Sequence, residues 1–285
     1  MKIANQNNRA VLLSGDRVVD IEQASDGHFP SDIAALFGAW PEFTKWAQAA
    51  TLAPTGDLRP DLLMAPSPKP LQGFGIGVNY AKHVAEAGWP VPQYPLVFPK
   101  FPTSVTGPGT TIALSGPRVD WEVEAVIVIG REAHNVLAGD AWDHIAGVTI
   151  GQDFSDRDVQ QRPESHPQFG LGKSFPGYSA IGPILVTPDE FEDRDDIALG
   201  TLLNGEQVQN SSTGDLIFPV SALIEYISGI VTLTPGDLIF TGTPSGVGTA
   251  WDPPRFLREG DVIESWITGI GQMRHTFSGP ETVRV

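Results

Sequence analysis

Asp120-Trp121-Glu122-Val123-Glu124-Ala125-Val126-Ile127-Val128-Ile129 is the stretch that decides the fold. Its second half is β-branched and apolar, which predicts a buried strand. Side chains alternate along a strand, so Asp120, Glu122 and Glu124 project to one side. Three carboxylates at the mouth of a buried strand repel one another and resist desolvation. They require either positive charge opposite them or open solvent.

Downstream, Gly147-Val148-Thr149-Ile150-Gly151-Gln152-Asp153-Phe154-Ser155-Asp156-Arg157-Asp158-Val159-Gln160 reads as an apolar strand ending in Asp153, followed by a helix start. Ser155 is the expected N-cap, with Asp158 completing a capping-box pattern. If Asp153 ends its strand beside Glu122 and Glu124, three oxygen ligands converge, a set suited to Mg²⁺, Mn²⁺ or Ca²⁺ and not to zinc. Spacing alone fits equally well an exposed acidic edge that discourages strand addition.

These two segments resemble the fumarylacetoacetate hydrolase family, which carries a D-x-E-x-E strand and a D-x-S-x-R-D-x-Q element. The resemblance implies that Glu122, Glu124 and Asp153 bind a divalent metal, Mg²⁺ by default, with Mn²⁺ or Ca²⁺ as alternatives. Asn79-Tyr80-Ala81-Lys82-His83-Val84-Ala85-Glu86 matches the family's N-Y-x-x-H-x-x-E element, whose His and Glu activate water. On residue types alone, Asn79 caps a short helix that Gly88 ends, placing His83 and Glu86 on one face. There the carboxylate could make the imidazole a general base, or the two could form a plain surface pair. Lys82 departs from the Asp of many relatives, and Asp156 stands where a small residue is usual.

Further matches follow in family order. Pro95–Ser104 resembles a strand and loop along the active-site wall. Phe169-Gly170-Leu171-Gly172-Lys173-Ser174-Phe175 carries the family's active-site lysine at Lys173; a Walker A loop is excluded because Pro167 replaces its first glycine. The glycines of Phe74–Val78 lack the spacing of a dinucleotide fingerprint, and the segment is itself an alternating strand. Thr241-Gly242-Thr243-Pro244-Ser245-Gly246-Val247-Gly248 resembles the family loop that touches the substrate carboxylate. By that resemblance Thr243 is the leading substrate-binding candidate, with Gly242 and Tyr80.

The chain has 285 residues, a formal net charge of −16, no Cys, 31 Gly and 25 Pro. The charge argues against nucleic acid or anionic membrane as partner. Without cysteine there is no disulfide framework, and a reducing compartment fits. The polar start, Met1–Arg9, does not suit a secretory signal, and no apolar run reaches membrane length. The expectation is a soluble, cytoplasmic protein. The many turns predict an α+β, strand-rich fold. We place a small N-terminal α/β module at residues 1–68 and the catalytic domain, the family's mixed β-sandwich or β-roll, at 69–285, separated by Ala65-Pro66-Ser67-Pro68-Lys69-Pro70.

In the first module, a hairpin is expected across Ser14-Gly15-Asp16-Arg17, then a helix capped by Ser31 and broken or kinked at Pro41. Asn204-Gly205 marks a second hairpin, and Pro219–Gly229 an amphipathic helix buried through Val220, Leu223, Ile224 and Ile227.

The family resemblance, over roughly residues 70–277, implies hydrolysis of a carbon–carbon bond in a 2,4-dioxo acid to pyruvate and a carboxylic acid. The metal would stabilise the pyruvate enolate, His83 held by Glu86 would activate water, and Arg157, Gln160 and Lys173 would hold the oxyanion. Candidate substrates run from acylpyruvates and fumarylpyruvate to 2,4-diketo-3-deoxy sugar acids. Oxaloacetate decarboxylation, isomerisation or hydration through the same enolate is the alternative activity, and a β-rich binding module with structural Ca²⁺ is the non-enzymatic one. Family members are usually homodimers, so a homodimer is expected.

Overall fold

The structure, a computed structural model, describes residues 1–279. The acidic-apolar stretch lies at its centre. The strand Val123–Ile129 is buried along its whole length, paired antiparallel with Ile145–Asp153 on one side and with Leu238–Phe240 on the other. Burial on both faces explains why its sequence is a continuous apolar run. Val123, Ala125, Ile127 and Ile129 pack towards the helix Val220–Ser228 and the second sheet. Val126 and Val128 face the opposite way, onto Leu36, Phe37, Trp40 and Phe43 of the N-terminal segment.

The main sheet has 12 strands. Beyond Leu238–Phe240 it continues with Gly73–Gly77, in parallel, and ends at Leu96–Pro99. On the other flank Ile145–Asp153 pairs with Ser179–Val186, which pairs in turn with the N-terminal strand Lys2–Gln6. The N-terminal strands therefore extend the central sheet. A five-stranded sheet is built on the Ala198–Leu203 and Glu206–Ser212 hairpin, with Asn204 (φ 51°) and Gly205 (φ 83°) supplying the left-handed turn. Mixed sheets with short helices make this an α+β, strand-rich fold. No helix among the described residues is long and apolar enough to cross a membrane.

Local expectations shift at three helix starts. Asp32, not Ser31, caps Ile33–Leu36, its carboxylate accepting the Ala34 amide. The helical run breaks ahead of Pro41 as expected: a 3₁₀ turn, Phe37–Ala39, separates Ile33–Leu36 from Trp40–Ala49, and Pro41 sits in the first turn of the second helix, where its missing N–H costs nothing. Asn79 does not cap the helix Ala81–Ala87, which starts after Tyr80 without a side-chain cap. Asp156, not Ser155, caps Arg157–Gln160 and accepts the Asp158 and Val159 amides. In that last case the residue that departs from the family pattern has taken over the cap. The hairpin over Gly15-Asp16, the helix end at Gly88 (φ 67°) and the Val220–Ser228 helix form as expected.

Candidate active site

Strand register assembles the carboxylates. Val123 pairs with Gln152, and the Asp153 amide donates to the Glu122 carbonyl at 2.9 Å. The last residue of one strand therefore lies beside the start of its neighbour. Ligand oxygens of Glu122, Glu124 and Asp153 come within 4.8 Å of one another, and all three residues are buried. Asp120 does not join them. It turns away before the strand proper begins and accepts Arg157 Nη2 at 2.7 Å and Nε at 2.9 Å. It also takes the Gly248 amide at 2.6 Å.

The positive charge that the acidic face required is present. Lys173 Nζ bridges Glu122 and Asp153, the latter at 2.9 Å. Lys100 Nζ contacts Asp153 and donates to the Lys173 carbonyl at 2.7 Å. Arg157 Nη2 reaches Glu122 Oε1 at 2.7 Å. The resemblance puts the Pro95–Ser104 segment on the active-site wall but does not single out Lys100; its lack of neighbouring acids, in a chain of 18 basic residues, is the one local sign that its partner lies elsewhere.

Burial opposes charge on every one of these groups, and the neighbours decide the outcome. Burial would push the Glu122 carboxyl up, but Lys173 and Arg157 outweigh it and hold it down to about 2. Burial likewise opposes the Lys173 ammonium, yet Asp153 and Glu122 raise its pKa. Lys100 has one carboxylate partner and Lys173 beside it, so burial lowers its pKa. Among the described residues Glu124 has no cation at ion-pair distance. Burial, then Asp153 and Glu122, push its carboxyl well above the usual range.

Four buried carboxylates (Asp120, Glu122, Glu124, Asp153) thus face three cations (Lys100, Arg157, Lys173), and the excess falls on Glu124. Among the described residues Glu124 accepts only the Gly242 amide, at 2.7 Å. An all-oxygen set with one carboxylate lacking a cation fits a hard divalent ion.

A pocket of about 220 Å³ opens over this cluster. His83, Glu122, Arg157, Gln160, Lys173 and Thr243 all line it. Glu124 and Asp153 lie beneath. Gly242 and Tyr80 are not in the lining: the Gly242 amide faces Glu124, and the Tyr80 ring is buried with its hydroxyl unpartnered. His83 Nδ1 meets the Glu86 carboxylate at 3.2 Å, and that carboxylate also accepts the Gly246 amide at 3.1 Å. One glutamate therefore orients the imidazole and docks its helix on the glycine-rich loop. Lys82 points outward, 3.2 Å from Asp215.

Two backbone features hold these groups in place. Val78, in the pocket lining, adopts φ 58°, a strained conformation for a β-branched residue. The Asn79 side chain stabilises it by donating to the Phe218 and Thr241 carbonyls and accepting the Phe218 amide. Gly172 lets the Phe169–Gly172 turn press against Arg157–Gln160: an added Cβ would lie 2.6 Å from the Gln160 nitrogen. That close approach brings Lys173 beside Arg157.

A carboxylate cluster beneath a pocket lined by a carboxylate-held histidine, a lysine and an arginine defines an enzyme site. The chain belongs to the fumarylacetoacetate hydrolase family: the family described as fumarylacetoacetate (FAA) hydrolase C-terminal matches residues 72–278. Among its relatives, the Xenopus laevis mitochondrial oxaloacetate tautomerase fahd2 is 41% identical over 211 residues. That match spans 73% of this chain and 66% of the frog protein's length. The human mitochondrial oxaloacetate tautomerase FAHD2A is 40% identical over 210 residues, spanning 73% of this chain and 67% of its own. A solved Mycobacterium smegmatis structure, provisionally called an HpcE protein, is 46% identical with a TM-score of 0.94 and covers 99% of this chain and 100% of that one.

Proposed function

We propose that the protein is a divalent-metal enzyme interconverting the keto and enol forms of a 2-oxo acid. The observation that carries this reading is His83: Glu86 occupies Nδ1, which leaves Nε2 as the nitrogen that moves a proton at the pocket wall. Glu122, Glu124 and Asp153 are the residues to hold the ion. Once bound, Mg²⁺ or Mn²⁺ supplies positive charge that favours the enolate over the ketone.

The chain's own groups do the rest. Lys173 uses two N–H bonds on Glu122 and Asp153 and has a third for a substrate oxygen. Arg157 stays cationic between Asp120 and Glu122, and its Nη1 fixes the Gln160 amide oxygen at 2.9 Å. The Gln160 NH₂ is thereby left for the ligand. His83 takes a proton from the carbon next to the 2-oxo group and passes it to the 2-oxo oxygen to give the enol, or runs the transfer in reverse.

Relatives named oxaloacetate tautomerases favour proton transfer over the hydrolysis that the motifs suggest by themselves. Hydrolysis of an acylpyruvate is the second reading, because the same Nε2 can deprotonate water. The test follows enol loss from oxaloacetate, and pyruvate release from a panel of 2,4-dioxo acids, both with Mg²⁺. We expect accelerated tautomerisation, slowed about 10²- to 10⁴-fold in His83→Ala. Rapid pyruvate release with no tautomerisation above buffer would transfer the assignment to the hydrolase.

A further inference from the structure

The pocket has a second cationic wall that the proposed chemistry does not use. Arg118 lines it, together with Gln161 and Thr249. The other pocket cations are committed to buried acids: Lys173 to Glu122 and Asp153, Arg157 to Asp120 and Glu122. Arg118 makes one polar side-chain contact among the described residues, from Nη1 to Asp158 at 3.0 Å, with side-chain exposures of 48% and 32%. An ion pair this exposed contributes little, so exchanging it for another carboxylate costs little. Among the described residues its Nε and Nη2 have no hydrogen-bond partner, and neither do the Gln161 side-chain amide and the Thr249 hydroxyl.

The guanidinium is also held in place. It lies over the Phe256 ring, 5.2 Å from the centroid. Its own carbonyl accepts the Arg157 amide at 3.0 Å, which ties this wall to the helix that carries Arg157 and Gln160. In a chain of net charge −16, an arginine that lines an anion-binding pocket and is held only by an exposed ion pair selects for a second negative group.

We propose that Arg118, assisted by Gln161 and Thr249, binds the distal carboxylate of the substrate and so sets a preference for diacids over monoacids. The inference rests on the 2-oxo acid reading for the identity of the near end. Arg118 is a specificity determinant and takes no part in the proton transfer at His83.

The test compares acids that differ only at the far end. Oxaloacetate and 2-oxobutyrate share the reacting carbons, and enolisation of both is read from exchange of their C3 hydrogens in D₂O. L-malate and 2-hydroxybutyrate are the unreactive counterparts, titrated into Mn²⁺-loaded protein by calorimetry. We expect Arg118→Ala to reduce the diacid-to-monoacid ratio of kcat/KM, and of binding constants, by about 10- to 100-fold. The loss should fall on KM, and Arg118→Lys should recover part of it. An unchanged melting temperature shows that the variant is folded.

If both acids weaken in the same proportion, or neither changes, the inference is overturned while enolisation by the wild type leaves the functional reading in place. If the wild type exchanges neither acid but malate binding still collapses in Arg118→Ala, the functional reading fails and the distal carboxylate site stands.

Discussion

Asp120 and Arg157 form a buried ion pair, Nη2 to Oδ2 at 2.7 Å, two residues ahead of the carboxylate cluster and not within it. The first acid of the D-x-E-x-E motif thus positions an arginine, and the two glutamates after it face the cluster. Asp120 also accepts the Gly248 and Thr249 amides, so one carboxylate ties the Arg157 helix to the glycine-rich loop. Asp120→Ala strands a buried guanidinium, and the expected loss is about 3–5 kcal/mol. Urea denaturation measures it. A change below about 1 kcal/mol would mean that Glu122 alone suffices for Arg157.

Glu124 is the carboxylate without a cation, so it should dominate the response to metal. Mn²⁺ at about 100 times its dissociation constant should stabilise the wild type by about 2.7 kcal/mol. The melting temperature should then rise by roughly 5–10 °C for a chain of this size. Glu124→Gln keeps an acceptor for the Gly242 amide but removes the charge. Its melting temperature without metal should equal or exceed that of the wild type, and the metal-induced rise should largely vanish. An undiminished rise would place the ion elsewhere.

Gly172 allows two short helices to touch through their backbones. A Cβ there would lie 2.8 Å from Gln160 Cα and 2.9 Å from the Asp156 carbonyl oxygen. Backbone cannot move aside as a flexible side chain can, so Gly172→Ala should cost about 1–3 kcal/mol. The displaced turn carries Lys173, so kcat should fall more than KM rises. Wild-type kinetics in this variant would show that Lys173 tolerates the displacement.

His275 is buried on the strand Gly271–Ser278 of the five-stranded sheet, its Nε2 unpartnered among the described residues and the Phe154 ring edge-on at 6.0 Å. Burial pushes its imidazole down to about 4, whereas the unfolded chain protonates near its ordinary value of about 6.5. Between those values the unfolded state binds a proton that the folded state does not. This contribution is therefore complete above pH 6.5 and falls by about 3 kcal/mol as the pH drops to 4. Urea midpoints at pH 7 and pH 4.5 should differ less in His275→Gln than in the wild type. Equal differences would show that His275 is protonated without cost.

Much of the architecture is legible along the chain because its causes are local. Asn204-Gly205 makes a hairpin since both residues tolerate positive φ, and Val220, Leu223, Ile224 and Ile227 fall on one helical face by spacing alone. Helix starts were less legible, because neighbouring candidates compete. Ser155 and Asp156 are both good caps, and only the paired strand Val119–Asp120 decides which one turns into the helix. Asn79, a good cap by type, instead spans two loops 139 and 162 residues away.

The order of acids, the alternation that sets Glu122 and Glu124 on one side, and the apolar run that demands burial follow from the sequence itself, since each depends only on covalent spacing. Which cation answers which acid is a tertiary outcome. Lys100 reaches Asp153 from 53 residues away, Lys173 reaches Glu122 from 51, and Arg157 takes Asp120 from 37. Those pairings depend on strand register and on how closely the short helices approach one another. A buried charge is stable only where the whole fold delivers its counter-charge.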